Sequence, residues 1–128
     1  MGQIVALLDA CVLYSAPLRD LFVQLAVDGV YQAKWTNQIH DEWIDSILKV
    51  RSDINRESLE YVRDLMNRHV ADSMVEDYQS LIQNLILPDP KDRHILAAAI
   101  QVNARIITFN LVDFPTKILD CSNSLFHQ

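Results

Sequence analysis

The chain has 128 residues, half of them apolar, and a formal net charge of −6. That length fits a single domain, residues 1–128, with enough apolar content for a real core, and no run of 18 or more apolar residues offers a membrane span. With only Gly2 and Gly29, the chain has neither a Walker loop nor a dinucleotide fingerprint, since both need several glycines for close phosphate approach. NTPase and NAD-enzyme readings are therefore poor.

The opening MGQIVALLDA carries no basic segment before its apolar run, so it reads as a first strand rather than a signal peptide. Residues 3–8 are the buried strand, short, continuous and partly β-branched. Pro17 suits the first turn of a helix, Leu18, Leu21, Phe22, Leu25 and Ala26 keep helical spacing, and Gly29 after Asp28 marks a stop. Thr36 is a fair N-cap for a second helix that turns Ile39, Trp43, Ile47 and Leu48 inward. Asn55 begins a third, striped by Leu59, Val62, Met66 and Val70. A short helix over residues 77–83 and an extended piece at 85–87 follow. Asp89 then suits an N-cap, Pro90 the first helical position and Asp92 the first turn, with Ile95, Ala98, Ala99 and Val102 as the buried stripe. Residues 104–109 read as another buried strand, and 118–121 as a further short one. Strands alternating with helices predict an α/β fold with a parallel sheet.

In such sheets, ligands bind beyond the carboxyl ends of the strands. Asp9 closes the first strand there, and Asn110 and Asp113 follow the later one. A carboxylate directly after IVALL is costly unless it meets water, donors or a metal, so function outweighs an Asx-turn at Asp9. Asp92 shares the core-facing side of its helix with Ile95 and Leu96 and so points toward the sheet, which slightly favours function over a first-turn acid explained by the helix dipole. Glu42 borders an apolar stripe; on spacing alone, an ordinary helix acid beside Lys49 or Gln38 is the stronger reading. Asp41 and Asp45 read as surface acids. N-capping already explains Asp89, and Thr108 offers a hydroxyl that could orient a ligand or simply belong to the strand. Sequence-distant acids that converge repel each other unless cations lie between them. Mg²⁺ or Mn²⁺, which favour oxygen ligands, are the natural occupants, and such a pocket points to phosphoryl chemistry on nucleic acid.

The negative charge sits awkwardly with nucleic acid. Setting Asp9, Glu42, Asp92 and Asp113 aside from the 17 acids leaves 13 against 11 basic residues. Binding would then rest on Arg19, Lys34, Lys49, Arg51, Lys91 and Arg93, which flank the candidate motifs and otherwise read as solvated charges. His40, His69, His94 and His127 have no zinc spacing and read as core or surface. Trp35 and Trp43 are expected in the core. Cys11 and Cys121 form neither a disulfide framework nor a metal motif, which fits a reducing, cytoplasmic setting.

Taken together, the pattern resembles the PIN-domain ribonucleases, most closely the VapC-like, PilT N-terminus group. LLDACVLYSAPLRDL looks like that family's opening strand, first acid and helix. HDEWIDSIL looks like its second acid, LPDPKDRHILAAAI its third and ITFNLVDFP its last motif. The resemblance implies a three-layer α/β/α fold and Mg²⁺- or Mn²⁺-dependent RNA cleavage. It assigns Asp9, Glu42, Asp92 and Asp113 as metal-holding catalytic acids, with Asn110, Thr108 and Asp89 in support. It also implies a homodimer and a role as the toxin of a toxin–antitoxin pair, inhibited by a small antitoxin. Cys11 stands where the family often has Asn, which would remove a hydrogen bond. Asn110 stands where many members have Asp, and the closing strand is expected to be short. The main rival is a catalytically weak or inactive PIN-like domain that binds nucleic acid or acts as a scaffold. A small-substrate phosphatase is disfavoured because Cys11 replaces the second Asp that such enzymes use; a structure-specific DNA nuclease would use similar acids.

Overall fold

The computed structural model of the protein describes residues 3–84 and 93–109. Three parallel strands form one sheet, with β1 (Val5–Leu8) between β2 (Gln32–Lys34) and β3 (Arg105–Ile107). The central place of β1 explains its unbroken apolar run: Ala6, Leu7 and Leu8 are buried, as expected of a strand covered on both faces. Its register sets Ala6 beside Ala33 on one edge and Leu8 beside Ile107 on the other. A single parallel bridge between Trp35 and Met74 extends the β2 side.

Between β1 and β2 the chain forms α1 (Ala10–Leu13) and α2 (Ala16–Val27). Ser15 caps α2, Pro17 sits in its first turn, and Gly29 follows at a φ of +82°, the left-handed conformation that ends helices. Then come α3 (Asn37–Val50), capped by Thr36 Oγ1 on Ile39 N–H, and α4 (Arg56–His69), capped by Asn55 Oδ1 on Ser58 N–H. Both caps fall where the sequence placed them. A 3-10 helix at Gln79–Asn84 stands in for the expected helix at 77–83. The last described helix, α5 (Arg93–Val102), is buried continuously from His94 to Ala99. The alanines let its backbone pack closely on β1 and β3. The expected extended piece at 85–87, the start of the 89–103 helix and the strand at 118–121 lie outside the described residues.

Two elements were not foreseen. The helix α1 spans four residues, too few to show a period, and β2 spans three with a lysine and a glutamine in them. No helix among the described residues is long and apolar enough to cross a membrane.

One buried polar network ties this framework together. Trp43 Nε1–H donates to His40 Nδ1 (3.0 Å), so His40 carries its hydrogen on Nε2 and donates to Asn67 Oδ1 (3.0 Å). Trp35 Nε1–H donates to the same oxygen at 2.7 Å. The network joins α3, α4 and the end of β2. Burial pushes the His40 pKa down from 6.5 to about 4, because the charged imidazolium would lose its hydration there.

Candidate active site at the carboxyl ends of the strands

The β1–β3 ladder continues one step past its last pair, where Asp9 N–H donates to Ile107 C=O at 3.0 Å. Asp9 and Thr108 therefore leave the sheet side by side. The Thr108 hydroxyl donates to Asp9 Oδ2 at 2.7 Å, and Asp9 Oδ1 caps α1 by accepting from Ala10 N–H at 2.7 Å. The carboxylate is only 7 % exposed. Among the described residues no lysine, arginine or histidine forms an ion pair with it; its contacts are neutral.

Cys11, in the first turn of α1, reaches the same spot. Its sulfur accepts from Phe109 N–H at 3.3 Å, lies 3.5 Å from Thr108 Oγ1 and 3.7 Å from Asp9 Oδ2. Burial raises the pKa of the thiol, which keeps its proton. The expectation that Cys11 loses a hydrogen bond needs correction. A thiol both accepts and donates, and this one joins α1 to the segment after β3.

Glu42 sits half-buried on α3, and its Oε2 accepts from His94 Nε2 at 3.0 Å. His94 is the second described residue of α5 and is 3 % exposed. The helix α1, which Asp9 caps, packs on α3, while α5 packs on β1 and β3. The two pairs thus sit on elements that pack on one another or on the central strand. Sequence reasoning gave His94 no role. The available signal was its place in DRHIL, between a first-turn acid and an all-buried run that leaves it no solvent side.

The other nominated residues divide clearly. Asp41 and Asp45 are exposed and pair with Arg56, as surface acids do. Asp89, Asp92, Asn110 and Asp113 lie outside the described residues. Arg19 overturns its reading as a nucleic-acid contact: it is buried, donates from Nη1 to Leu13 C=O at 2.7 Å and stacks over the Trp43 ring at 4.7 Å. A planar, weakly hydrated guanidinium tolerates that setting. Lys34 bonds the Asp72 carbonyl and Arg51 pairs with Asp53, while exposed Lys49 and half-buried Arg93 have no ion pair among the described residues and Lys91 lies outside them.

The donor chemistry suits a hard divalent cation. Asp9 and Glu42 offer oxygens, and a nearly buried carboxylate without a cationic partner is the group that a metal would neutralise. Two carboxylates do not complete a cage. Among the described residues no group of three or more His, Cys, Asp or Glu is placed to hold a metal.

A parallel α/β sheet with an acid closing its central strand defines a class of proteins that place their chemistry at the strand ends. Within that class the family is specific: the chain matches the PIN domain over residues 5–111 and belongs to the PIN domain family. Among solved structures it is similar to VapBC-1 from nontypeable Haemophilus influenzae, with a TM-score of 0.59, 16 % identity and 98 % of each chain covered. At that identity the likeness is one of fold. A search of curated proteins gives no match.

Proposed function

We propose that the protein is a metal-dependent endoribonuclease, and that it serves as the toxin of a bacterial toxin–antitoxin pair. The observation that carries the nuclease reading is Asp9, a nearly buried carboxylate at the end of the central strand of a PIN domain, held among the described residues by neutral donors. Glu42, Asp92 and Asp113 would complete the acidic site, with Asn110, Thr108 and Asp89 in support. Bound Mg²⁺ or Mn²⁺ would supply a water of lowered pKa and offset charge on the phosphate. The chain's own part is to hold that charge in place. Thr108 fixes Asp9 Oδ2, the α1 N-terminus fixes Oδ1, and His94 holds one oxygen of Glu42.

The toxin reading is supported by the fold likeness to a VapBC structure. It brings with it an RNA substrate, a small antitoxin partner, a homodimer and a cytoplasmic setting. The second reading is a non-catalytic PIN domain that binds nucleic acid or serves as a scaffold.

The test is cleavage of a labelled single-stranded RNA panel with Mg²⁺ or Mn²⁺, with chelator and with Asp9→Asn and Asp92→Asn. Metal-dependent cuts lost in both variants are expected. No cutting together with no metal-induced rise in melting temperature would favour the non-catalytic reading, because a true site stabilises the folded state on loading.

A further inference from the structure

We infer that His94 is a positioning residue for Glu42: its Nε2–H holds one carboxylate oxygen in place and presents the other toward the divalent-cation site. The inference rests on the metal-dependent reading above and assigns a role within that site to a residue outside the acidic set. A carboxylate only accepts, so the hydrogen of the 3.0 Å contact belongs to His94 Nε2 and Oε2 of Glu42 is its acceptor. Nothing among the described residues donates to Oε1. Glu42 is half-buried at the border of its helix and has several rotamers within reach. One fixed donor selects among them.

His94 is well built to be that donor. It is 3 % exposed, and Ile95 and Leu96 beside it are buried to 1 %. The alanines that follow hold α5 close against the sheet, so the ring has no second place to go.

The second observation concerns the other ring nitrogen. Nδ1 of His94 is buried with no hydrogen-bond partner. An unpaired buried polar atom is a cost that an apolar side chain of similar size would avoid. The contrast with His40 is direct, since both ring nitrogens of His40 are bonded. A histidine serving packing alone has no reason to carry that cost. A histidine needed for its single N–H does. Groups that orient a ligating carboxylate commonly change metal affinity by 10–100-fold when removed.

The test measures Mn²⁺ binding to the metal-free protein by the loss of its free-ion electron paramagnetic resonance signal. Wild type is compared with His94→Phe, His94→Asn and His94→Gln, each checked for folding by circular dichroism. The glutamine amide nitrogen reaches about as far as imidazole Nε2; the asparagine amide does not. His94→Phe and His94→Asn are expected to weaken Mn²⁺ binding roughly 10–100-fold, and His94→Gln to restore most of it. Unchanged affinity in a folded His94→Phe or His94→Asn overturns the positioning role and leaves the metal site standing. No Mn²⁺ binding by the wild type overturns the metal reading, and this inference with it. Should the variants fail to fold, nitrogen-15 NMR of wild-type His94 decides: a protected Nε2–H is expected, and a hydrogen on Nδ1 instead overturns the assignment.

Discussion

The protein contains two buried polar clusters, and they are finished differently. Around His40, both ring nitrogens and both neighbouring indole N–H groups are bonded: Trp43 to His40, His40 to Asn67, Trp35 to Asn67. In the second set, Asp9 keeps a nearly buried carboxylate among neutral contacts in the described residues, and His94 keeps a bare Nδ1. A network that closes on itself holds elements together and needs nothing further. Groups left open in this way are what the proposed nuclease would use to bind a cation. The helix α3 carries members of both sets, with His40 and Trp43 on its inward turns and Glu42 at its border. Under that proposal one helix serves both stability and chemistry.

The sharpest way to break that contrast is to neutralise Asp9. Asp9→Asn keeps an oxygen for the Thr108 hydroxyl and removes the charge. Under the nuclease reading, RNA cleavage falls by at least about 100-fold, the equivalent of several kcal/mol of lost stabilisation. The melting temperature of the metal-free protein should hold or rise, because an unpaired buried charge is gone. Activity is read on labelled RNA and stability by thermal melting. A variant that still cuts at the wild-type rate would remove Asp9 from the site.

The reverse change belongs to the closed cluster. Asn67→Leu leaves the Trp35 and His40 N–H groups without their acceptor. Each unsatisfied buried donor costs about 1–3 kcal/mol, so a total loss of about 2–6 kcal/mol is expected. For a domain of this size that is a fall in melting temperature of roughly 6–24 °C. Mn²⁺ affinity of the folded fraction should not move. A loss of metal affinity instead of stability would dissolve the distinction between the clusters.

How much of this could be read in the sequence follows the same division. Caps at Thr36 and Asn55, the stripe of α4 and the burial of β1 were legible because each rests on local chemistry with a fixed spacing. Asp9 was legible because a charge that ends an apolar run is locally anomalous. His94 was not, because its meaning lies in a contact with a residue 52 positions away. The burial of Arg19 was hidden for a similar reason: a helix arginine looks solvated until Leu13 C=O and the Trp43 ring are placed against it. Three-residue β2 exists because β1 offers it an edge, and nothing in QAK announces it.

Acid provides a further separation. His40 has its pKa lowered to about 4 in the folded chain, against an ordinary 6.5. Between those values the unfolded chain binds the proton and the folded chain does not. Stability from this group is thus fully present above pH 6.5 and drains away as pH falls toward 4, by up to about 3 kcal/mol. Urea midpoints from pH 7.5 to 5 isolate the effect, since most carboxylates titrate lower. His40→Gln should flatten the slope in that window, while His94→Gln should leave the His40 contribution intact. An equal slope in wild type and His40→Gln would assign the acid sensitivity elsewhere.

The smallest expected effect tests whether the open cluster is organised from within. Thr108→Val has nearly the same shape and removes only the hydroxyl that donates to Asp9 Oδ2. The side chain is buried, and the change removes the charge-assisted hydrogen bond to Asp9 together with the hydroxyl's contact to the Cys11 sulfur. Freed of that bond, the carboxylate can turn about its Cβ–Cγ axis, with only the Ala10 N–H still holding Oδ1. Mn²⁺ affinity should weaken by about tenfold, at the lower end of what such orienting contacts contribute. Thr108→Ser, which keeps the donor, should behave as wild type. If valine and serine bind Mn²⁺ equally well, then Ala10 alone fixes Asp9 and the hydroxyl serves the strand; if serine keeps affinity and valine loses it, the orientation of Asp9 is set by the strand beside it.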